Sequence, residues 1–281
     1  RLAEAAEQDA VPCVLVEIPT NPRVEVPDMD QVKQILEAER STASGEEAVA
    51  PIFIVDQTFC PNVELLGDSD SLANIHSLAY VSGSKFPSGG RCTAGYVTSN
   101  SRASEIMPLI EKHLRICDNF ATALQLSILA ESMPSMRERI DKAYQNTDRV
   151  VQHIQRSLPQ CKISFIDPEL VGMGFTPSVF SLDLPSIGVT PEEKEQNKRR
   201  LNHSLISYMI ENFPQGAKHC VSYGQLAKTY WTVPATSTQG TTKESDKDYI
   251  VRISLPPTID IAELLAHFDA WLQQEQILSM G

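Results

Sequence analysis

The stretch "LAYVSGSKFPSGG" at residues 78–90 runs from an apolar strand through two serines and a lysine into glycines. A buried strand ordinarily ends in a turn, and a solvent-facing lysine needs no hydroxyl groups beside it. Lys85 is therefore either surface decoration or chemistry placed at a strand end, and its surroundings decide which. Upstream, "PCVLVEI" (12–18) and "PIFIVD" (51–56) are short β-rich apolar runs, and "AGYVTS" (94–99) is a fourth. "VPDMDQVKQILEAER" (26–40) reads as a helix with an Asp near its start, and "STASGEEAVA" (41–50) as a surface loop. Near-continuous apolar strands alternating with helices predict an α/β fold, a mostly parallel sheet with helices on both faces.

From 101 to 157 the pattern is helical. "ATALQLSILAESM" (121–133) is apolar nearly all round and predicts a buried helix, while the segment 135–158 is long and amphipathic. Strand-like pieces follow at 162–167, 178–184 and 248–255, with helices at about 192–212 and 260–275. This second rhythm is α+β. It places a domain change near 157, with a larger domain over 1–157 and a smaller one over 158–281. "STQGTTKESDKD" (237–248) reads as a polar loop.

The formal net charge of −12 argues against nucleic acid or an anionic membrane as the main partner. An anionic ligand would need a local site. No apolar run approaches the roughly 20 residues that cross a bilayer, and no signal peptide opens the chain. The six scattered cysteines contain no C-x-x-C pair, so reduced thiols of a cytoplasmic protein fit better than disulfides or a metal site. The chain opens with Arg1 inside a helix-like stretch and reads as trimmed from a longer one.

In open α/β sheets ligands sit beyond the carboxyl ends of the strands. Asn21 follows the first strand here, Asp56 closes the second, and Ser82, Ser84 and Lys85 follow the third. Pyridoxal 5′-phosphate asks for such a set: an amine for a Schiff base, a carboxylate for its ring nitrogen, and donors for its phosphate. Hydroxyls two apart on an extended segment point to one side, so Ser82 and Ser84 suit one phosphate. Alone, Lys85 would read as a solvated surface residue and Asp56 as a turn former. Their order at consecutive strand ends favours the site.

"EIPTNPRVEVPDM", "FIVDQTF" and "VSGSKFPSGG" resemble motifs of the pyridoxal-phosphate enzymes of cysteine and methionine metabolism, a family that includes cystathionine γ-synthase, the cystathionine lyases and methionine γ-lyase. The likeness continues through "GMGFTPSVFSLDL", "VSYG…VPATSTQG" and "VRISLPPTIDIAELL". It implies the fold-type I transferase architecture and trans-sulfuration chemistry, either elimination or replacement at the β- or γ-carbon of a sulfur amino acid or homoserine ester. Lys85 would carry the cofactor and shuttle the proton. Asp56 would face the pyridine nitrogen, Ser82 and Ser84 the phosphate, and Asn21 the ring's 3-oxygen. Arg252 would take the substrate carboxylate, with Ser222 beside it. Without the resemblance, Arg252 reads as a structural ion pair or as a residue pointing outward from its strand. Homodimers or homotetramers are implied as well.

This chain departs from the pattern at several points. Ser84 stands for the family's Thr and Gln57 for its Asn, and Gly89-Gly90-Arg91-Cys92 replaces the usual Gly-His-Ser-Asp. Val221 and Ala227 stand where the γ-synthases and γ-lyases commonly carry Glu. The family's N-terminal segment, with its ring-stacking tyrosine, lies upstream of residue 1. These departures keep a second reading open: a truncated or degenerate protein of this fold with a structural or partner-dependent role. An aldolase or aminotransferase on the same fold is a third.

Overall fold

The structure is a computed structural model and describes residues 1–67, 72–222, 227–233 and 249–276. The reading of 237–248 as a loop lies outside the described residues. The chain divides into two compact units, Arg1–Thr20 with Val26–Met133, and Asn21–Glu25 with Pro134–Gly281.

The first unit contains α1 (Leu2–Glu7), β1 (Cys13–Glu17), α2 (Met29–Glu37), β2 (Ile52–Asp56), β3 (His76–Val81), β4 (Tyr96–Ser99), α3 (Met107–Ile116) and α4 (Ala123–Ser132). Its sheet runs β1-β2-β3-β4. The first three strands are parallel, and β4 returns antiparallel to β3. α2 starts where expected, because the Asp28 carboxylate accepts the amides of Asp30 and Gln31 and so satisfies orphan donors of the first turn. Asn100 pins the start of β3: its side-chain oxygen accepts from the Ser77 amide, and its nitrogen donates to the Leu72 and Ile75 carbonyls.

One face of this sheet is the dense one, with Phe53, Val55, Ala79 and Val81 all buried. The other is less covered, and Leu15 on β1 is 63% exposed, so burial of both faces does not extend to the edge strand. A second difference concerns α4. Leu124 and Leu126 are exposed, and only Leu129 and Ser132 on this helix are buried. Apolarity on all sides signals a helix that needs covering, not the element that covers it.

The second unit holds α5 (Met136–Ser157), β5 (Lys162–Ser164), α6 (Pro168–Gly172), β6 (Val179–Asp183), α7 (Pro191–Asn212), β7 (Ala217–His219), β8 (Thr229–Thr232), β9 (Val251–Ser254) and α8 (Ile261–Gln274). Its sheet runs β5-β6-β9-β8-β7, with only β7–β8 parallel. Phe180, Leu182, Trp231, Val251 and Ile253 pack from the sheet against Val150, Val151 and Ile154 of α5, Leu201, Leu205 and Met209 of α7, and Phe268 and Trp271 of α8. α5 thus belongs to this core, and the division falls at Met133/Pro134 instead of near 157. The amphipathic stripe of this segment is the face that α5 buries against the sheet at β6.

Candidate functional site

Within the first unit, the carboxyl ends of β2 and β3 carry a chain of hydrogen bonds running from a carboxylate to an amine. Asp56 closes β2 and its Oδ1 accepts the Thr58 amide at 2.9 Å. The Thr58 hydroxyl in turn accepts the Ser82 amide at 3.0 Å. The Ser82 and Ser84 hydroxyl oxygens stand 2.9 Å apart in hydrogen-bond contact, and Lys85 Nζ donates to Ser84 Oγ at 3.4 Å. All four expected residues of this unit are therefore tied into one network. They are half-buried.

The backbone explains why only this local sequence serves. A Cβ at Gly83, between the two serines, would lie 1.2 Å from the Ala94 carbonyl oxygen. Gly83 is thus required by the close approach of the segment leading into β4, and that approach turns the chain so that Ser82 and Ser84 face each other. Past Lys85, buried Phe86 anchors the turn, and Ser88 Oγ accepts the amides of Arg91 and Cys92. Arg91 then ties this loop to the end of α4, donating to Glu131 and to the Ser132 hydroxyl. The unusual Gly-Gly-Arg-Cys sequence is a locally satisfied turn fixed by its arginine.

The remaining three expected residues lie in the second unit. Arg252 on β9 is 5% exposed, which rules out the reading of an outward-pointing strand residue. Its guanidinium donates to Asn21 Oδ1 at 2.9 Å and to the Val221 carbonyl. Both of these oxygens are neutral acceptors. Ser222 follows Val221 directly, so the peptide that receives the arginine also presents Ser222. Arg252 is flanked across the sheet by Ser181 on β6 and Thr232 on β8, both buried. Ser181 also donates to the Pro22 carbonyl, so Asn21 and Pro22 are both held by this sheet face. The opposite face of the same strands enters the apolar core, which is why Arg252 alternates with Val251 and Ile253.

Two participants escape the sequence reading. Thr58 is buried and couples Asp56 to Ser82, and the signal for it is a hydroxyl two residues after a strand-closing Asp. Tyr80 stands beside Asp56 in the β2–β3 register. Burial and the neighbouring Asp56 carboxylate push its phenol up to about 12.

The chemistry of this donor set fits pyridoxal phosphate. An amine, a carboxylate and two convergent hydroxyls occupy consecutive strand ends, with no side chain at Gly83 between the hydroxyls.

No family model matches the sequence, and no curated protein matches it in sequence. Solved structures do resemble it. Cystathionine γ-lyase from Lactobacillus plantarum, complexed with L-serine, aligns over 96% of this chain at TM-score 0.69 and 17% identity. Cystathionine γ-synthase from Xanthomonas oryzae pv. oryzae, in complex with aminoacrylate and cysteine, aligns over 99% at TM-score 0.69 and 16% identity. The apo methionine γ-lyase CalE6 from Micromonospora echinospora aligns over 93% at TM-score 0.66 and 17% identity. The chain spans 65–66% of the length of these three structures. It therefore has the fold that these solved lyases and synthase share, the fold-type I architecture of pyridoxal-phosphate enzymes.

Proposed function

We propose that the chain is a pyridoxal-phosphate-dependent enzyme of the trans-sulfuration type, acting on a sulfur amino acid or a homoserine ester by elimination or replacement at the β- or γ-carbon. The observation that carries this reading is the hydrogen-bonded run Asp56–Thr58–Ser82–Ser84–Lys85 at two adjacent strand ends. In this reading Asp56 accepts the pyridine N–H, Ser82 and Ser84 donate to the phosphate, and Asn21 lies toward the ring oxygen. Arg252 and Ser222 receive the substrate carboxylate, for which a guanidinium fork is the suited donor.

When bound, the cofactor supplies an electron sink for charge developing at the substrate α-carbon. The protein's own contribution is acid–base work: Lys85 Nζ, in its neutral form, takes the α-proton and returns a proton to the carbon where the next bond changes. The Ser84 hydroxyl beside Nζ holds that amine at the strand end between transfers.

No helix among the described residues is long and apolar enough to cross a membrane, and we place the enzyme in the cytoplasm. Exposed Leu109 and Ile116 on α3, Phe120, and Leu124 and Leu126 on α4 support a homo-oligomer in which another copy covers this apolar face.

The direct test is to incubate the chain with pyridoxal phosphate, reduce with borohydride and map the covalent label by peptide mass. Label on Lys85 is expected, together with turnover of cystathionine, methionine or a homoserine ester that Lys85→Ala abolishes. Label on another lysine, no label, or activity surviving in Lys85→Ala overturns the assignment.

A further inference from the structure

At the ends of β1, β2 and β3, three polar residues share one register: Glu17 pairs with Asp56, and Asp56 with Tyr80. Residues so paired on parallel strands point to the same face, so two carboxylates and a phenol form a row across the sheet. Interior strand positions on that face are apolar, including Leu15, Ile54 and Leu78. The polar row is confined to the strand ends where Lys85 also lies. Only Asp56 of the three has a role so far.

The Asp56 carboxylate receives the Thr58 amide, and the Tyr80 phenol stands beside it across the β2–β3 register. A carboxylate offers roughly four lone-pair sites, so beside the Thr58 amide it has room for a donor from the neighbouring strand and for one more. We propose that Tyr80 is a positioning residue for Asp56: its hydroxyl, donated across the β2–β3 register, holds the carboxylate in the orientation that receives the cofactor's ring N–H. This inference rests on the proposed function, which gives Asp56 its partner. A backbone amide two residues away can hold only the near side of a strand-end carboxylate. Tyr80 reaches it from the neighbouring strand and so removes a freedom that Thr58 alone leaves. Glu17, on the other flank, adds negative charge near the phenol and so keeps Tyr80 in its protonated, donating form.

The alternative is a cross-strand pair that serves only the sheet. The two roles separate in a double-mutant cycle read by equilibrium dialysis of pyridoxal phosphate against the full chain. Tyr80→Phe is expected to weaken cofactor affinity about tenfold, the scale of one hydrogen bond to a charged group. Asp56→Asn should weaken it at least as much, and Tyr80→Phe added to Asp56→Asn should cost nothing further. Losses that simply add, or Tyr80→Phe binding like the parent chain, overturn the inference while leaving the proposed function standing. If the parent chain itself binds no cofactor, the proposed function falls and takes the role of Asp56 with it. The contact is then judged separately by NMR of ring-labelled tyrosine in the cofactor-free chain. Asp56→Asn should bring the Tyr80 phenol down toward the ordinary tyrosine value, and a phenol that does not move overturns the pairing.

Discussion

Lys85 and Asp56 were legible as candidates because their side chains offer chemistry that their positions do not otherwise explain. Thr58 and Tyr80 were not, because a buried threonine and a strand tyrosine each have ample structural reasons to exist. What identifies them is a partner brought close by strand pairing, and register is not written in either residue. Arg252 was half legible: its alternation with apolar residues is visible, but the direction of its face is not until Asn21 and Val221 are seen receiving it. Gly83 offers a strict test at this scale. Replacing it with alanine drives a methyl group into the Ala94 carbonyl, so backbone must move at the centre of the site. We expect Gly83→Ala to cost about 4 kcal/mol or more in urea unfolding, at the severe end of single substitutions, and to abolish labelling of Lys85. A variant of parental stability would show that the approach of the two segments is looser than described.

At the scale of elements, α7 was readable because it carries its own start signal. α7 begins at Thr190, whose hydroxyl accepts the Glu193 amide while the Glu193 carboxylate accepts the amides of Thr190 and Val189. Thr190→Ala is expected to destabilise the protein by about 1 kcal/mol. Those two backbone donors also hold the Glu193 carboxyl below its ordinary value. A depressed carboxyl stabilises fully above its unfolded value, and the contribution is lost as pH falls through the lowered one. Glu193→Gln keeps an acceptor at the cap and removes the charge, so its stability should fall less steeply than that of the parent on the acid side. Measured melting temperatures from neutral pH to pH 3 would check this, and an unchanged acid slope would refute it. β7 and β8 were missed for the converse reason. They are three and four residues long, too short for a period to declare itself, and exist because Thr229–Thr232 finds β9 beside it. The burial of α4 was over-read, since composition records only that a helix is apolar.

For the whole molecule, fold class was legible because the alternation of strands and helices is written along the chain, and the likeness to a solved lyase and a solved synthase holds at 16–17% identity. The division into units was less so. The five residues Asn21–Glu25 leave the first unit's sequence to join the second, a non-local event that no local pattern announces. The apolar residues standing exposed on α3 and α4 belong to the same scale. If another copy covers them, Leu124→Asp with Leu126→Asp should convert the oligomer to a smaller species in sedimentation velocity, and an unchanged sedimentation coefficient would place the interface elsewhere. Finally, both tryptophans of the chain, Trp231 and Trp271, are sealed in the core of the second unit. Indole emission is therefore an optical reporter of the core of the second unit. A melting curve followed by that emission registers the apolar packing behind the strand that carries Arg252, so a study of the lysine's own surroundings calls for a chromophore placed in the first unit.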